Sequence, residues 1–298
     1  MRDSYEPYEA LVAPARPTAP LPRLALGLTF TIILFYSLIF CLSALLGVLF
    51  SDEALARYDS TLRTGDSPLG VLANLYIFGL AAIALTIALK QIHARDIASI
   101  IGNLALAKTD FGRVCVYLAA LHLVLFLLLP GHADAAPQPS MAVFEWLILL
   151  PLALPAVLIQ TGTEELIFRG YLQSQLAARY SNRFIWMLVP ALLFGMLHYD
   201  TGALGDNAML VMIWATAFGV AVADLTARSG TLGPAIALHF VNNVAAILLS
   251  APEGNFDGLA LYTYPFSLDD PDAVWIWAPV DMMVLFLSWL SARLAIRR

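Results

Sequence analysis

The stretch Thr163-Glu164-Glu165-Leu166-Ile167-Phe168-Arg169-Gly170 decides how this chain is read. It sets three ionisable side chains within six positions, after about twenty residues that carry almost no charge. Charge at membrane depth is costly and is kept there for function. On a helix, Glu164 and Glu165 point about 100° apart, so they cannot share one job. Glu165 and Arg169 stand at i,i+4 with the acid first, the order that favours an ion pair along one face. Glu164 is then left free. A carboxylate held by an arginine, beside a second that is not, has the form of a general base and its support.

The surroundings set the solvent. Of the 298 residues, 60% are hydrophobic and only 13% charged, and the mean hydropathy is +0.77. Soluble domains carry about a quarter charged residues, so an integral membrane protein is the fitting class. The expected partner is therefore the lipid bilayer, and nucleic acid is not expected. Cys41 and Cys115 lie in apolar segments without disulfide or zinc-finger spacing and read as small buried hydrophobes.

Residues 1–23 hold five prolines among small and polar residues and read as a disordered N-terminal tail. Apolar runs follow at 24–50, 69–89, 114–130, 141–161, 184–199, 207–226, 232–250 and 274–292. Each approaches the length that crosses about 30 Å of hydrocarbon. The fold expected is an all-α, polytopic bundle of about eight transmembrane helices. Residues 96–106 are mildly amphipathic and read as interfacial. Residues 171–183 continue the motif helix and break near Ser181-Asn182. With both termini cytoplasmic, 14 of the 16 Lys and Arg residues fall on the cytoplasmic side. The division is a tail (1–23), N-terminal transmembrane helices (24–140), a helical core holding the polar motifs (141–250), and an external loop with the last helix (251–298).

Two further polar constellations lie in apolar helices. Phe194 and His198 are i,i+4 neighbours in Phe194-Gly195-Met196-Leu197-His198, where Gly195 permits another helix to approach. His239 and Asn243 share a face in His239-Phe240-Val241-Asn242-Asn243, and both can donate hydrogen bonds in a dry site. Asn242 points elsewhere and reads as a packing residue. Each motif alone could be interhelical glue. Together they supply a carboxylate, two histidines and an asparagine on three helices, the parts for water-mediated peptide hydrolysis.

The set Glu-Glu-x-x-x-Arg, Phe-x-x-x-His and His-x-x-x-Asn, in this order, resembles the CPBP family (CAAX proteases and bacteriocin-processing enzymes, also called Abi), which includes the type II CAAX prenyl endopeptidases. The resemblance covers about residues 145–250. It implies an intramembrane endopeptidase acting on a membrane-embedded or membrane-associated peptide or protein, in a bacterial plasma membrane. It implies Glu164 as general base, with His198 helping to hold the attacking water. His239 and Asn243 would stabilise the oxyanion, and Glu165 and Arg169 would orient the site. Phe194 would pack on and fix its histidine. No cofactor is expected. The alternative is zinc on Glu164, His198 and His239, though the helix signature His-Glu-x-x-His is absent. Other readings are a non-catalytic protein of bacteriocin self-immunity or scaffolding, and a proton-coupled transporter.

One tension concerns depth. Simple spans put Glu164, His239 and His198 at different levels, so the motif helix must extend or the boundaries must shift. Pro151 and Pro155 are candidates to break the fourth span, leaving 153–177 as the true crossing. Of the other acids, Asp281 is a candidate accessory residue, while Asp224 and Glu145 read as interfacial.

Overall fold

The structure is a computed structural model that describes residues 4–128 and 136–297. Arg2, Arg298 and residues 129–130 of the expected third span lie outside the described residues. Helices long and apolar enough to cross a membrane are α1 (Leu21–Leu49), α3 (Pro68–His93), α4 (Leu104–Leu128), α5 (Val143–Arg179), α7 (Ala208–Ser229) and α9 (Pro271–Ile296). Two shorter apolar helices join them, α6 (Arg183–Met196) and α8 (Gly233–Leu249). A polytopic helical bundle results, with eight apolar helices among the described residues. The amphipathic α2 (Asp52–Thr64) lies between the first two, capped by the Ser51 hydroxyl and stopped at Gly65, whose φ is +60°.

Three boundaries differ from expectation. The third span begins at Leu104 rather than 114, and only a single turn, Ala98–Ile101, lies before it. The expected interfacial segment 96–106 is therefore a connection that feeds straight into α4. Pro151 and Pro155 do not break α5, which runs unbroken for 37 residues, about 55 Å. Prolines are tolerated inside a membrane helix when neighbours satisfy the freed backbone. Between the two, Tyr76 of α3 donates its hydroxyl to the Leu152 carbonyl at 2.9 Å. The motif thus sits well inside a long helix, not at its end.

The N-terminal segment corrects another expectation. Residues 6–18 form short helical turns rather than a disordered tail, and Tyr8, Leu11 and Ala15 are buried in the main core. Prolines fix φ near the helical value and lack only donors that a first turn leaves unpaired, so this composition suits short turns once a surface exists to cover. Tyr5 and Tyr8 flank Trp186, with ring centroids 5.9 and 5.3 Å away. The Tyr5 hydroxyl donates to Asp224 at 2.7 Å. Burial first, and that carboxylate second, push the Tyr5 phenol up to about 12.

Asp224, read as interfacial from its place near a span end, is the centre of a polar cluster. It is buried and also accepts from Arg228 at 2.8 Å and from the Trp289 indole at 3.0 Å. It ties the N-terminal segment, α7 and α9 together, so both ends of the chain meet at one end of the bundle. At the other end, β1 (Gln138–Pro139), β2 (Ser250–Pro252) and β3 (Tyr262–Tyr264) form a small sheet in the order β1-β3-β2. β1 is antiparallel to β3, and β2 is parallel to it. Cys41 is exposed on α1 and Cys115 half-buried on α4, so neither is the fully buried hydrophobe expected. The outer face of α1 also exposes Ile33, Tyr36, Phe40 and Val48, a surface that lipid would cover.

Candidate active site

Around Glu165 the backbone of α5 widens. Leu166–Gln173 take π-helical hydrogen bonding, a local bulge common where a helix carries a functional group. Glu165 and Arg169 remain paired across it, with Arg169 Nη1 donating to Glu165 Oε1 at 3.1 Å. Both side chains are 0% exposed, so solvent does not screen the pair. The guanidinium also lies over the Phe194 ring, 4.7 Å from its centroid. Such stacking favours arginine over lysine.

His239 joins the two carboxylates. Its Nδ1 lies 2.8 Å from Glu165 Oε1, and its Nε2 lies 3.4 Å from Glu164 Oε2. The first is a hydrogen bond. The second is within ion-pair reach but does not have hydrogen-bond geometry, and Glu164 Oε2 is buried without a hydrogen-bond partner. The imidazole is clamped edge-on by Phe218 at 4.9 Å and Phe194 at 5.9 Å. Glycines make this possible. A Cβ on Gly195 would stand 2.1 Å from Thr216 Oγ1, and one on Gly219 would stand 2.8 Å from Ala191 Cβ. Only bare backbone lets α6 lie this close to α7, and that approach carries Phe194 over Arg169.

One turn along α8 from His239, Asn243 donates its amide to Gln160 Oε1 at 2.8 Å. Gln160 is 8% exposed and lies one turn before Glu164 on α5. Sequence reasoning passed over it. The signal was available, since it is a polar residue in an apolar helix at i−4 from the free acid. Asn242, expected only to pack, donates its amide to Asn243 Oδ1 at 3.2 Å.

His198 stands apart from the carboxylates. It lies just past the end of α6 with its ring 4.6 Å from Phe194 and Nδ1 2.9 Å from the Phe194 carbonyl. A carbonyl only accepts, so Nδ1 carries the proton. Nε2 is left without a hydrogen-bond partner among the described residues. The structure therefore gathers Glu164, Glu165, Arg169, Phe194, His239 and Asn243 around one point and leaves His198 at its edge. Among the described residues no three His, Cys, Asp or Glu side chains converge to hold a metal ion, so Glu164, His198 and His239 do not form such a set here.

This geometry lies within a segment that has relatives. Residues 145–245 match the family model for Rce1-like type II CAAX prenyl endopeptidases. The matched segment takes in all of α6, α7 and most of α5 and α8, and so every residue of the cluster described above. The chain is also similar to the uncharacterised protein YyaK of Bacillus subtilis (strain 168), at 26% identity over 175 residues. That match covers 57% of this chain and 57% of YyaK, so it spans little more than half of the relative's length. No solved structure matches. The Rce1-like match supports a peptidase at the level of the family.

Proposed function

We propose that this protein is an intramembrane endopeptidase that hydrolyses a peptide bond of a membrane-associated protein or peptide, with Glu164 activating the water. The observation that carries this reading is the division of labour between adjacent acids. Glu165 Oε1 is fixed between Arg169 and His239, whereas Glu164 Oε2 lies 3.4 Å from His239 without a hydrogen bond; Glu165 Oε2 is also buried and unpartnered, so it is the doubly bonded Oε1 that separates the two acids. A carboxylate with an oxygen free of hydrogen bonds is placed to take a proton from an attacking water.

In the mechanism we infer, water binds between Glu164 and the free Nε2 of His198. Glu164 takes one proton as the oxygen attacks the scissile carbonyl. The mechanism uses His239 with a proton on each nitrogen, its Nδ1–H held by Glu165 Oε1. That form presents an Nε2–H to the developing oxyanion, and Asn243 presents its amide beside it. Preorganised donors of this kind contribute roughly 10²–10³ in rate each. Glu164 then returns its proton to the leaving amine. Glu165 and Arg169 position His239 and touch no substrate. The reading needs no metal, and retention of activity after exhaustive chelation is its expected outcome.

Orientation is part of the same proposal. Arg183, Arg228 and Arg293 surround the Tyr5–Asp224 contact at the end where the termini meet. The positive-inside rule puts that end in the cytoplasm.

The test compares protein termini in membranes bearing wild type or Glu164→Gln at matched abundance. Defined termini that vanish in the variant support the reading and name the substrate. Unchanged termini with a normally folded variant overturn it.

A further inference from the structure

Between α4, α7, α8 and α9 lies a cavity of about 180 Å³. Its polar lining comes from His122, Trp214, Asn242, Asp281 and Ser288, with the Phe218 ring as part of the wall. None of these is a carboxylate, histidine or amide of the cluster around Glu164. Phe218 alone is shared, packing its ring on His239.

The hydrogen-bonding capacity of this lining is lopsided. His122 Nδ1 lies 2.8 Å from the Leu118 carbonyl and so carries the proton, which leaves Nε2 of the neutral ring an acceptor. Asn242 spends an amide proton on Asn243, and its own carbonyl oxygen has no partner among the described residues. Asp281 has neither an ion pair nor a hydrogen bond among the described residues. Against these acceptors stand the Trp214 indole N–H, buried without a partner, and the Ser288 hydroxyl. Asp281 sits ten residues along α9 from Pro271, about 15 Å in, where an acid without a counter-ion marks a functional site.

The occupant that completes such a lining is a small cation rich in N–H donors. The Trp214 and Phe218 rings are stacked 5.6 Å apart at 18°, an aromatic surface of the kind that attracts organic cations. The volume equals about six water molecules at ~30 Å³ each, enough for an ammonium group on a short alkyl chain. It is below the 300–1,000 Å³ usual for sites that take whole drug-sized ligands. Asp281 is exposed at the mouth, so entry is from the side of the bundle.

We propose that this cavity binds a protonated alkylamine, the ethanolamine head of a bilayer lipid, since Asp281 opens to the side of the bundle that lipid covers. Binding here does not depend on peptidase activity, and neither does its test. Purified protein in detergent is titrated with n-butylammonium chloride while the thermal midpoint is followed, with n-butanol and sodium chloride as controls. A saturable rise with n-butylammonium alone is expected, since a ligand of the native state stabilises it by mass action. Asp281→Asn weakens the apparent affinity at least tenfold. Ala246→Phe, which narrows the cavity without touching the carboxylate, removes the rise as well. An equal response to sodium chloride, or an unchanged affinity in both variants, overturns the proposal.

The source is decided by competition in phosphatidylglycerol nanodiscs. Displacement of n-butylammonium by added phosphatidylethanolamine assigns the lipid. Displacement by a transmembrane peptide bearing lysine, but not by its Lys→Met counterpart or by the lipid, overturns the lipid assignment. Displacement by neither overturns it as well.

Discussion

Replacing Arg169 by methionine tests the core of the site through stability rather than activity. Arg169 and Glu165 are 3.1 Å apart with 0% exposure on either side, so the interaction takes no discount for solvent. At an effective dielectric near 20 their attraction is about 5 kcal/mol. The variant leaves a buried carboxylate short of its cation, a loss of roughly 3–5 kcal/mol in comparable cases. His239 still donates to Glu165 at 2.8 Å and offsets part of this, so the lower end, about 3 kcal/mol, is expected. For a chain of this size that lowers the midpoint by roughly 6–12 °C. The assay is thermal unfolding in detergent of wild type, Arg169→Met, Glu165→Gln and the double variant. A coupling of about 1–3 kcal/mol between the two positions is expected for residues in direct contact. If the single effects add to within about 0.5 kcal/mol, the two groups do not form an ion pair in the folded protein and the argument for a fixed Glu165 fails.

Three other outcomes follow from the same contacts. Gln160→Leu deprives the Asn243 amide of its acceptor, which costs about 1 kcal/mol of stability. In a peptidase assay on the substrate identified from the termini comparison, kcat falls about tenfold with KM nearly unchanged, which is the mark of an interaction felt in the transition state. Gly195→Val sets a side chain against Thr216 Oγ1 and the Met212 carbonyl, pushing α6 off α7. Overpacking of about 1–3 kcal/mol is expected in thermal unfolding, together with loss of activity as Phe194 leaves His239. Tyr5→Phe changes the alkaline limb of stability. The folded phenol is raised above its usual 10 to about 12, so its contribution is complete below pH 10 and is lost as pH rises through 12. Between those values wild type loses stability more steeply than Tyr5→Phe in pH-dependent denaturation.

Much of the site was legible because helical spacing is a local property. Glu165 and Arg169, and His239 and Asn243, each share a face by count alone. The pairing of the first couple needed no tertiary information. The link from His239 to Glu165 did, because it joins residues 74 positions apart. Gln160 escaped notice for the same reason. Its meaning depends on a partner 83 positions away on α8. The partners of Asp224 were not legible because its distance from a span end says nothing of what lies over it, and Tyr5 and Trp289 come from distant parts of the chain. The proline-rich segment misled because proline content reports the freedom of an isolated chain, whereas Tyr8 and Leu11 gain order only from the groove that receives them.

The order of residues alone settles the solvent, the helical class and the chemistry available. Hydropathy and length depend on each segment by itself, and a bilayer allows few backbone solutions. Folding in three dimensions decides which polar groups meet. Close approach at Gly195 and Gly219, the unbroken run of α5 past two prolines and the clamp of Phe194 and Phe218 turn scattered motifs into one cluster. They also leave His198 at the rim and open a cavity at Asp281. These outcomes rest on packing between distant segments, which no local pattern encodes.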